Sequence, residues 1–148
     1  MVVEPARTED VDALVPLMHD YCIFYEVEPR DDGLGEMARA LIDTPENEGM
    51  LLVSRADDGT PTGFAAVGWK WSSLRAARVA ILEDLFVAPE VRGTGAGRAL
   101  LDSCAERARK HGAPVLLWAT APDNHRAQSV YDAAGAKGET WLEYELEL

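Results

Sequence analysis

The apolar patterning of the chain predicts one mixed α/β domain over residues 1–148. Three features carry that prediction. At 148 residues the chain is about one domain long, able to bury roughly 70% of the surface its unfolded form exposes. Stretches with period-two and helical apolar spacing interleave along it. Finally, three strands joined by tight turns lead into a helix and a further strand. The turns imply antiparallel pairing and the helical crossover implies a parallel pair.

Val2 to Glu4 is a short first strand. Thr8 suits a helix cap, with Glu9 and Asp10 placed for the helix dipole. Val11, Leu14, Val15, Met18, Tyr21, Cys22 and Tyr25 follow at helical spacing, and Pro16 inside them should kink or split the helix. A second helix fits Leu34 to Ile42. Met50 to Ser54 and Gly63 to Trp71 form a hairpin about the turn Asp57-Asp58-Gly59. Arg78 to Val87 is a third long strand, stopped by Pro89. After a glycine-rich turn, Leu100, Leu101, Cys104, Ala105 and Ala108 make the apolar stripe of a helix closed by His111-Gly112. Val115 to Thr120 reads as a buried strand and Asn124 to Ala134 as a helix ending at Gly135. The last stretch alternates Leu142, Tyr144, Leu146 and Leu148 with Trp141, Glu143, Glu145 and Glu147, a half-buried strand.

Charge narrows the function. Twenty-six acids against fourteen bases give −12, which repels a phosphate backbone and argues against nucleic acid as partner. Residues 92–126 run the other way, with six bases and three acids. An anionic ligand suits that stretch and a cationic one suits the remainder. No apolar run approaches the roughly 20 residues of a membrane span, and the N-terminus has no signal-peptide pattern. Cys22 and Cys104 make neither a disulfide framework nor a zinc site, and His19, His111 and His125 lack metal-ligand spacing. A reducing, cytoplasmic setting without metal or membrane is expected.

The strongest signal is Arg92-Gly93-Thr94-Gly95-Ala96-Gly97-Arg98, placed after a strand and opening a helix. Glycines there allow positive φ and close ligand approach, while the free N–H groups and dipole of the helix start attract an anion. A P-loop would need Gly-Lys-Ser/Thr, which is absent. A dinucleotide fingerprint would need a third glycine where Arg98 or Leu100 stands. Pyrophosphate held by an R-x-x-G-x-G loop remains. A second motif follows about thirty residues later: Asn124, Ala127, Tyr131 and Gly135 in the pattern N-x-x-A-x-x-x-Y-x-x-x-G.

Together the segments 87–101 and 124–135 resemble the acetyl-CoA-binding motifs of the GNAT superfamily of N-acetyltransferases. Leu82-Glu83-Asp84-Leu85-Phe86-Val87 is most similar to the spermidine/spermine and thialysine acetyltransferases, and Tyr21 to Glu26 more loosely resembles their first helix. The resemblance implies acetyl-CoA as cosubstrate and a homodimer. It also implies that the backbone of Leu85, Phe86 and Val87 pairs with pantetheine, the Val87 N–H facing the thioester oxygen, and that Asn124 and Tyr131 contact the cofactor.

Acetyl transfer to an amine needs a held cofactor, a polarised carbonyl, a proton acceptor and a stabilised thiolate. An amine near pKa 10.4 and a glutamate near 4.3 differ by about 6 units, roughly 8 kcal/mol, so direct transfer is uphill. Desolvating the ammonium shrinks the gap and a water can relay the proton. Glu83 is the expected base through such a water; strand alternation points Asp84 to the opposite face unless a bulge intervenes. Tyr131 lies two helical turns after Asn124 on one face and is the expected acid toward the thiolate. Glu26 and Glu28 are candidates to meet a distal ammonium. Trp71 near a hairpin end, and Asp84, are further candidates to line the acceptor site. The expected reaction is direct acetyl transfer, in a ternary complex, to a primary amine of a small cationic acceptor such as a polyamine or lysine-like amino acid. The rivals are acetylation of a protein N-terminus or lysine, and a non-catalytic acetyl-CoA-binding module.

Overall fold

Alternation along the second strand decides where two separate cores lie. The computed structural model describes residues 1–148. Its sheet contains β1 (Val2–Pro5), β2 (Gly49–Arg55), β3 (Pro61–Ser72), β4 (Ala77–Val87) and β5 (Leu116–Leu117), in that spatial order. The first three pairings are antiparallel and β4–β5 is parallel. Helices α1 (Val11–Phe24) and α2 (Asp31–Asp43) cover one face. Helix α3 (Ala96–His111) covers the other, with α4 (His125–Ala133) beside it. This is the mixed sheet that the patterning predicts.

Leu51 and Val53 of β2 pack with Leu14, Met18, Phe64 and Phe86 on the α1/α2 side. Met50 and Leu52 pack with Val67, Leu82, Leu100 and Cys104 on the α3 side. With both faces covered, β2 is buried from Gly49 through Ser54. Gly49 is required there: its φ is +148°, and a Cβ would sit 1.9 Å from the Val67 carbonyl oxygen of β3.

Several expectations need correction. Pro16 does not split the first helix, which runs unbroken over fourteen residues. The proline falls early in α1 and forfeits one backbone bond, while the helix buries Val11, Leu14 and Met18 at roughly 1.5–3 kcal/mol for each large side chain. Thr8 opens a short 3₁₀ turn instead of capping α1, and the Asp10 carboxylate reaches back to accept from the Arg7 N–H at 2.8 Å. The strand expected over Val115 to Thr120 is reduced to Leu116–Leu117, and all its residues are at least partly exposed. The alternating end of the chain joins no sheet: Leu142, Tyr144, Leu146 and Leu148 are 79–113% exposed. With β5 so short, the chain offers this segment no partner of matching length.

One polar cluster is structural. Arg55 Nη2 donates to Asp10 at 2.7 Å and Nε donates to Glu4 at 2.8 Å, with the Arg55 and Asp10 side chains only 15% and 8% exposed. Burial alone would raise the Asp10 carboxyl, but the bonds from Arg55 and from the Arg7 N–H outweigh it and hold its pKa below the ordinary range. The cluster ties β1 to β2 and to the start of α1.

Candidate active site

β5 pairs with β4 only at Ala80 and Ile81, whereas β4 continues to Val87. From Leu82 onward the outer edge of β4 therefore has no strand beside it. The resulting cleft is a groove of about 430 Å³ between the end of β4, the start of α3, α4 and the end of α1. Leu85, Phe86 and Val87 line it, with Leu85 and Val87 side chains also packed against the α3-side core.

At one end of the groove the glycine-rich turn opens α3. Gly93 and Gly95 have φ of +85° and +91°, a conformation that any other residue adopts at a cost of roughly 1–2 kcal/mol. The first bond of this helix runs from the Ala99 N–H to the Gly95 carbonyl. The N–H groups of Ala96, Gly97 and Arg98 consequently emerge unpaired at the helix start, a site for an anion. The three nearby arginines differ in role. Arg92 folds back over Phe86, 5.6 Å from its ring centre, and donates to the Val87 carbonyl at 2.9 Å. Arg98 is occupied, bonding Asp102 at 2.9 Å and the Ala133 carbonyl of α4 at 3.0 Å. Arg126 is exposed, lines the groove, has no ion pair and reaches toward Gly93. It is the free cation here, and the sequence reading did not single it out, although it lies inside the second motif. Thr94 shapes the turn through a 2.7 Å bond to the Val91 carbonyl and does not border the groove.

Across from the β4 edge stands α4. Asn124 caps it, its side chain accepting from the Ala127 N–H at 3.2 Å, and also lines the groove. Tyr131 lines the groove two turns later. Its ring meets Trp118 edge-on at 5.2 Å, and its hydroxyl bonds no other group of the chain. Burial pushes its pKa above the ordinary phenol value, with Tyr25 across the groove adding to the rise. The phenol is thus held protonated, as a donor.

The end of α1 closes the third side with Tyr21, Phe24 and Tyr25, aromatic contacts linking them at 5.1 Å. The β3–β4 register shifts between Ala66 and Val67, which pair with Asp84 and Leu82, so Glu83 is the extra residue of a bulge. The bulge cancels the expected alternation and sets both acids toward the α1/α2 side. The Tyr21 hydroxyl donates to the Glu83 carbonyl, a long bond at 3.4 Å, and stands beside the Asp84 carboxylate. Burial raises the Asp84 carboxyl; Tyr21 works against the rise and the Glu83 charge adds to it. Glu83 is exposed, and its side chain borders a second cavity of about 230 Å³ with Met37, Leu41 and Glu48.

The structure thus gathers the expected cofactor residues other than Thr94 around one groove, with Tyr131 on its wall and the Glu83–Asp84 bulge behind Tyr21. Glu26 and Glu28 are exposed on the loop after α1, outside the groove lining. Trp71 is not brought to the site: it pairs with Arg78, nine residues from Val87 along β4, roughly 30 Å away, and is 75% exposed. Tyr21, Phe24 and Tyr25 were visible only as a loose resemblance.

The model of the acetyltransferase (GNAT) family matches residues 14–136. An uncharacterized N-acetyltransferase of Bacillus subtilis (strain 168), YhfO, is 31% identical over 140 residues, covering 95% of this chain and 92% of that protein. The D-amino-acid N-acetyltransferase HPA3 of Saccharomyces cerevisiae is 30% identical over 138 residues, covering 93% and 85%. The thialysine N-epsilon-acetyltransferase of Bos taurus is 32% identical over 119 residues, covering 77% and 65%. Among solved structures, a probable acetyltransferase superposes with a TM-score of 0.86 at 28% identity, covering 100% of this chain and 98% of the other. The aminoglycoside N-acetyltransferase AAC(6')-Iy in complex with CoA superposes at 0.84, covering 99% and 93%; at 17% identity this likeness carries the fold alone.

Proposed function

The chain belongs to the acetyltransferase (GNAT) family and is an acetyl-CoA-dependent N-acetyltransferase; from that premise we propose that its acceptor is a primary amine on a small cationic molecule, polyamine or lysine-like, acetylated by direct attack in a ternary complex. The observation that carries this reading is the β4 bulge, which sets two adjacent carboxylates on one face of the sheet, with Asp84 directly behind the Tyr21 that lines the groove, although neither carboxylate lines the groove itself. Carboxylates and aromatic faces both attract an ammonium. The overall charge of −12 acts in the same direction at longer range. The D-amino-acid and thialysine enzymes among the relatives are named for small amine-bearing acceptors, which favours a small molecule over a polypeptide.

Each residue then has a role. Acetyl-CoA supplies the activated thioester. The N–H groups of Ala96, Gly97 and Arg98, with Arg126, hold its pyrophosphate. The free edge of β4 from Leu85 to Val87 pairs with pantetheine, and the Val87 N–H polarises the carbonyl. Arg92 fixes the end of that strand by holding the Val87 carbonyl. Glu83 accepts the amine proton through a water, because it is the exposed member of the acidic pair and passes the proton on to solvent. Asp84, half-buried beside Tyr21, offsets the ammonium charge in the approach. Tyr131 donates to the leaving thiolate; a thiolate whose thiol titrates near 8.5 is a weaker base than a phenolate, so the proton stays on the tyrosine and a hydrogen bond suffices. The protein acts in the cytoplasm as a homodimer.

The test is thiol release from acetyl-CoA against diamines, polyamines, lysine analogues, aminoglycosides and N-terminal peptides. Turnover concentrated on one cationic small amine is expected. Activity on peptides with silence on small amines would refute the acceptor class.

A further inference from the structure

No acid lines the groove; its charged residues are Arg92, Arg98 and Arg126, all at the anion end. A cationic acceptor therefore needs some link to the carboxylates of the bulge. Tyr21 stands in that position. It borders the groove, and its hydroxyl reaches the Glu83 carbonyl at 3.4 Å and the Asp84 carboxylate. Both of these groups only accept hydrogen bonds, whereas a phenol can donate and accept. The Tyr21 proton is thus committed to the bulge, and what the oxygen has left to offer is a lone pair. Burial, with the Asp84 charge adding to it, raises the phenol's pKa, so the proton stays in place at neutral pH. The ring is held from three sides, edge-on to Tyr25 at 5.1 Å, Phe64 at 6.0 Å and Phe86 at 6.3 Å.

We propose that Tyr21 is a catalytic contact of the transfer: its hydroxyl oxygen accepts an N–H of the acceptor's reacting ammonium while its own proton is donated to Asp84, coupling that acid to a groove which no acid lines. This deepens the amine-acceptor reading above and rests on it. The arrangement has a chemical reason. A carboxylate touching the ammonium directly would favour the charged form and raise the amine's pKa. The reacting nitrogen must lose that proton before it attacks. A phenol between the two charges still draws the ammonium in, but stabilises its charged form less than a direct ion pair would. The proton balance is simple. The amine gives one proton to the exposed Glu83 through a water, and Tyr21 neither gains nor loses one. Geometry agrees, since Tyr21 touches the backbone of Glu83 itself and so holds the ammonium next to the acid that takes its proton.

The experiment compares the full chain with Tyr21→Phe, Asp84→Asn and the double variant, in steady-state kinetics at saturating acetyl-CoA. The acceptor is whichever of spermidine, lysine, thialysine or a short N-terminal peptide turns over best. Tyr21→Phe keeps all three ring contacts, so circular dichroism and thermal unfolding should remain those of the folded domain. It is expected to lower kcat/KM for the amine about 10- to 150-fold, mostly through KM, which is the range of one hydrogen bond to a charged group. Acetyl-CoA affinity measured by calorimetry should stay that of wild type. Since Asp84 acts through Tyr21, the double variant should lose little more than Tyr21→Phe alone. An unchanged KM for the amine in Tyr21→Phe would overturn the proposal. Additive losses would overturn it too, because the two groups would then meet the amine independently. Should Tyr21→Phe fail to fold, Asp84→Asn decides: the proposal requires a raised amine KM at unchanged acetyl-CoA affinity, and an unchanged KM refutes it. Turnover of the peptide alone would refute the small-amine reading, while a raised KM for the peptide's amine in Tyr21→Phe would still support the contact. Silence with every acceptor would overturn both.

Discussion

Tyr131→Phe isolates one oxygen atom. The ring keeps its edge-on contact with Trp118 at 5.2 Å. The hydroxyl has no partner within the chain, so its removal should change stability by no more than about 0.5 kcal/mol. For a domain of this size that is a Tm shift of about 2 °C or less. Its effect on turnover should be far larger. A hydrogen bond to a charged sulfur contributes roughly 1.5–3 kcal/mol, which is about 10- to 150-fold in kcat. Full proton donation would extend the loss to about 10²–10⁴-fold. The pH profile adds a signed expectation. Burial raises the phenol's pKa, so it stays protonated throughout the neutral range, and any alkaline loss of kcat that it causes should come later than for an ordinary phenol. Steady-state kinetics with a saturating small amine, alongside thermal unfolding of both proteins, measure these quantities. A kcat within about threefold of wild type would remove Tyr131 from the chemistry. A large loss of Tm would show that the hydroxyl has a structural partner and that the kinetic loss is not specific.

Three other substitutions test separate links. Glu83→Gln should lower kcat most on the acidic side of the pH profile while acetyl-CoA affinity holds, and Asp84→Asn should act mainly through the KM of the amine; the reverse split would exchange the two roles. Gly95→Val has open space for its side chain, so its cost is the positive φ, about 2 kcal/mol or somewhat more for a branched residue. Acetyl-CoA affinity measured by calorimetry should fall at least tenfold in a protein that still folds, and unchanged affinity would contradict the anion site. Asp10→Asn leaves Arg55 with Glu4 alone and should cost about 3 kcal/mol at pH 7, a Tm drop of about 6–12 °C. Because the folded Asp10 carboxyl lies below its unfolded pKa, its contribution is present above about pH 4 and is lost as pH falls through the lowered value. The Tm gap between the two proteins should therefore narrow in acid; a pH-independent gap would refute the ion-pair account.

What the sequence by itself determined was local: period, turn chemistry and motif. β2 to β4, α2 and α3 form within a few residues of where apolar spacing and glycine turns put them. The two motifs were legible because glycines at positive φ, an asparagine cap and a tyrosine two turns later all fall within short windows of sequence. What only the tertiary structure decided were the relations between elements. The β4 bulge depends on register against β3, and it reverses the side to which Asp84 points. Arg98 and Arg126 look alike in sequence, yet one is tied to Asp102 and α4 while the other is free, since partners distant in the chain set the charge that each presents. Pro16 was outweighed by the burial of a helix face. The strand pattern of residues 141–148 is plain in sequence, but a strand exists only with a partner, and pairing is a non-local property that the single chain does not supply.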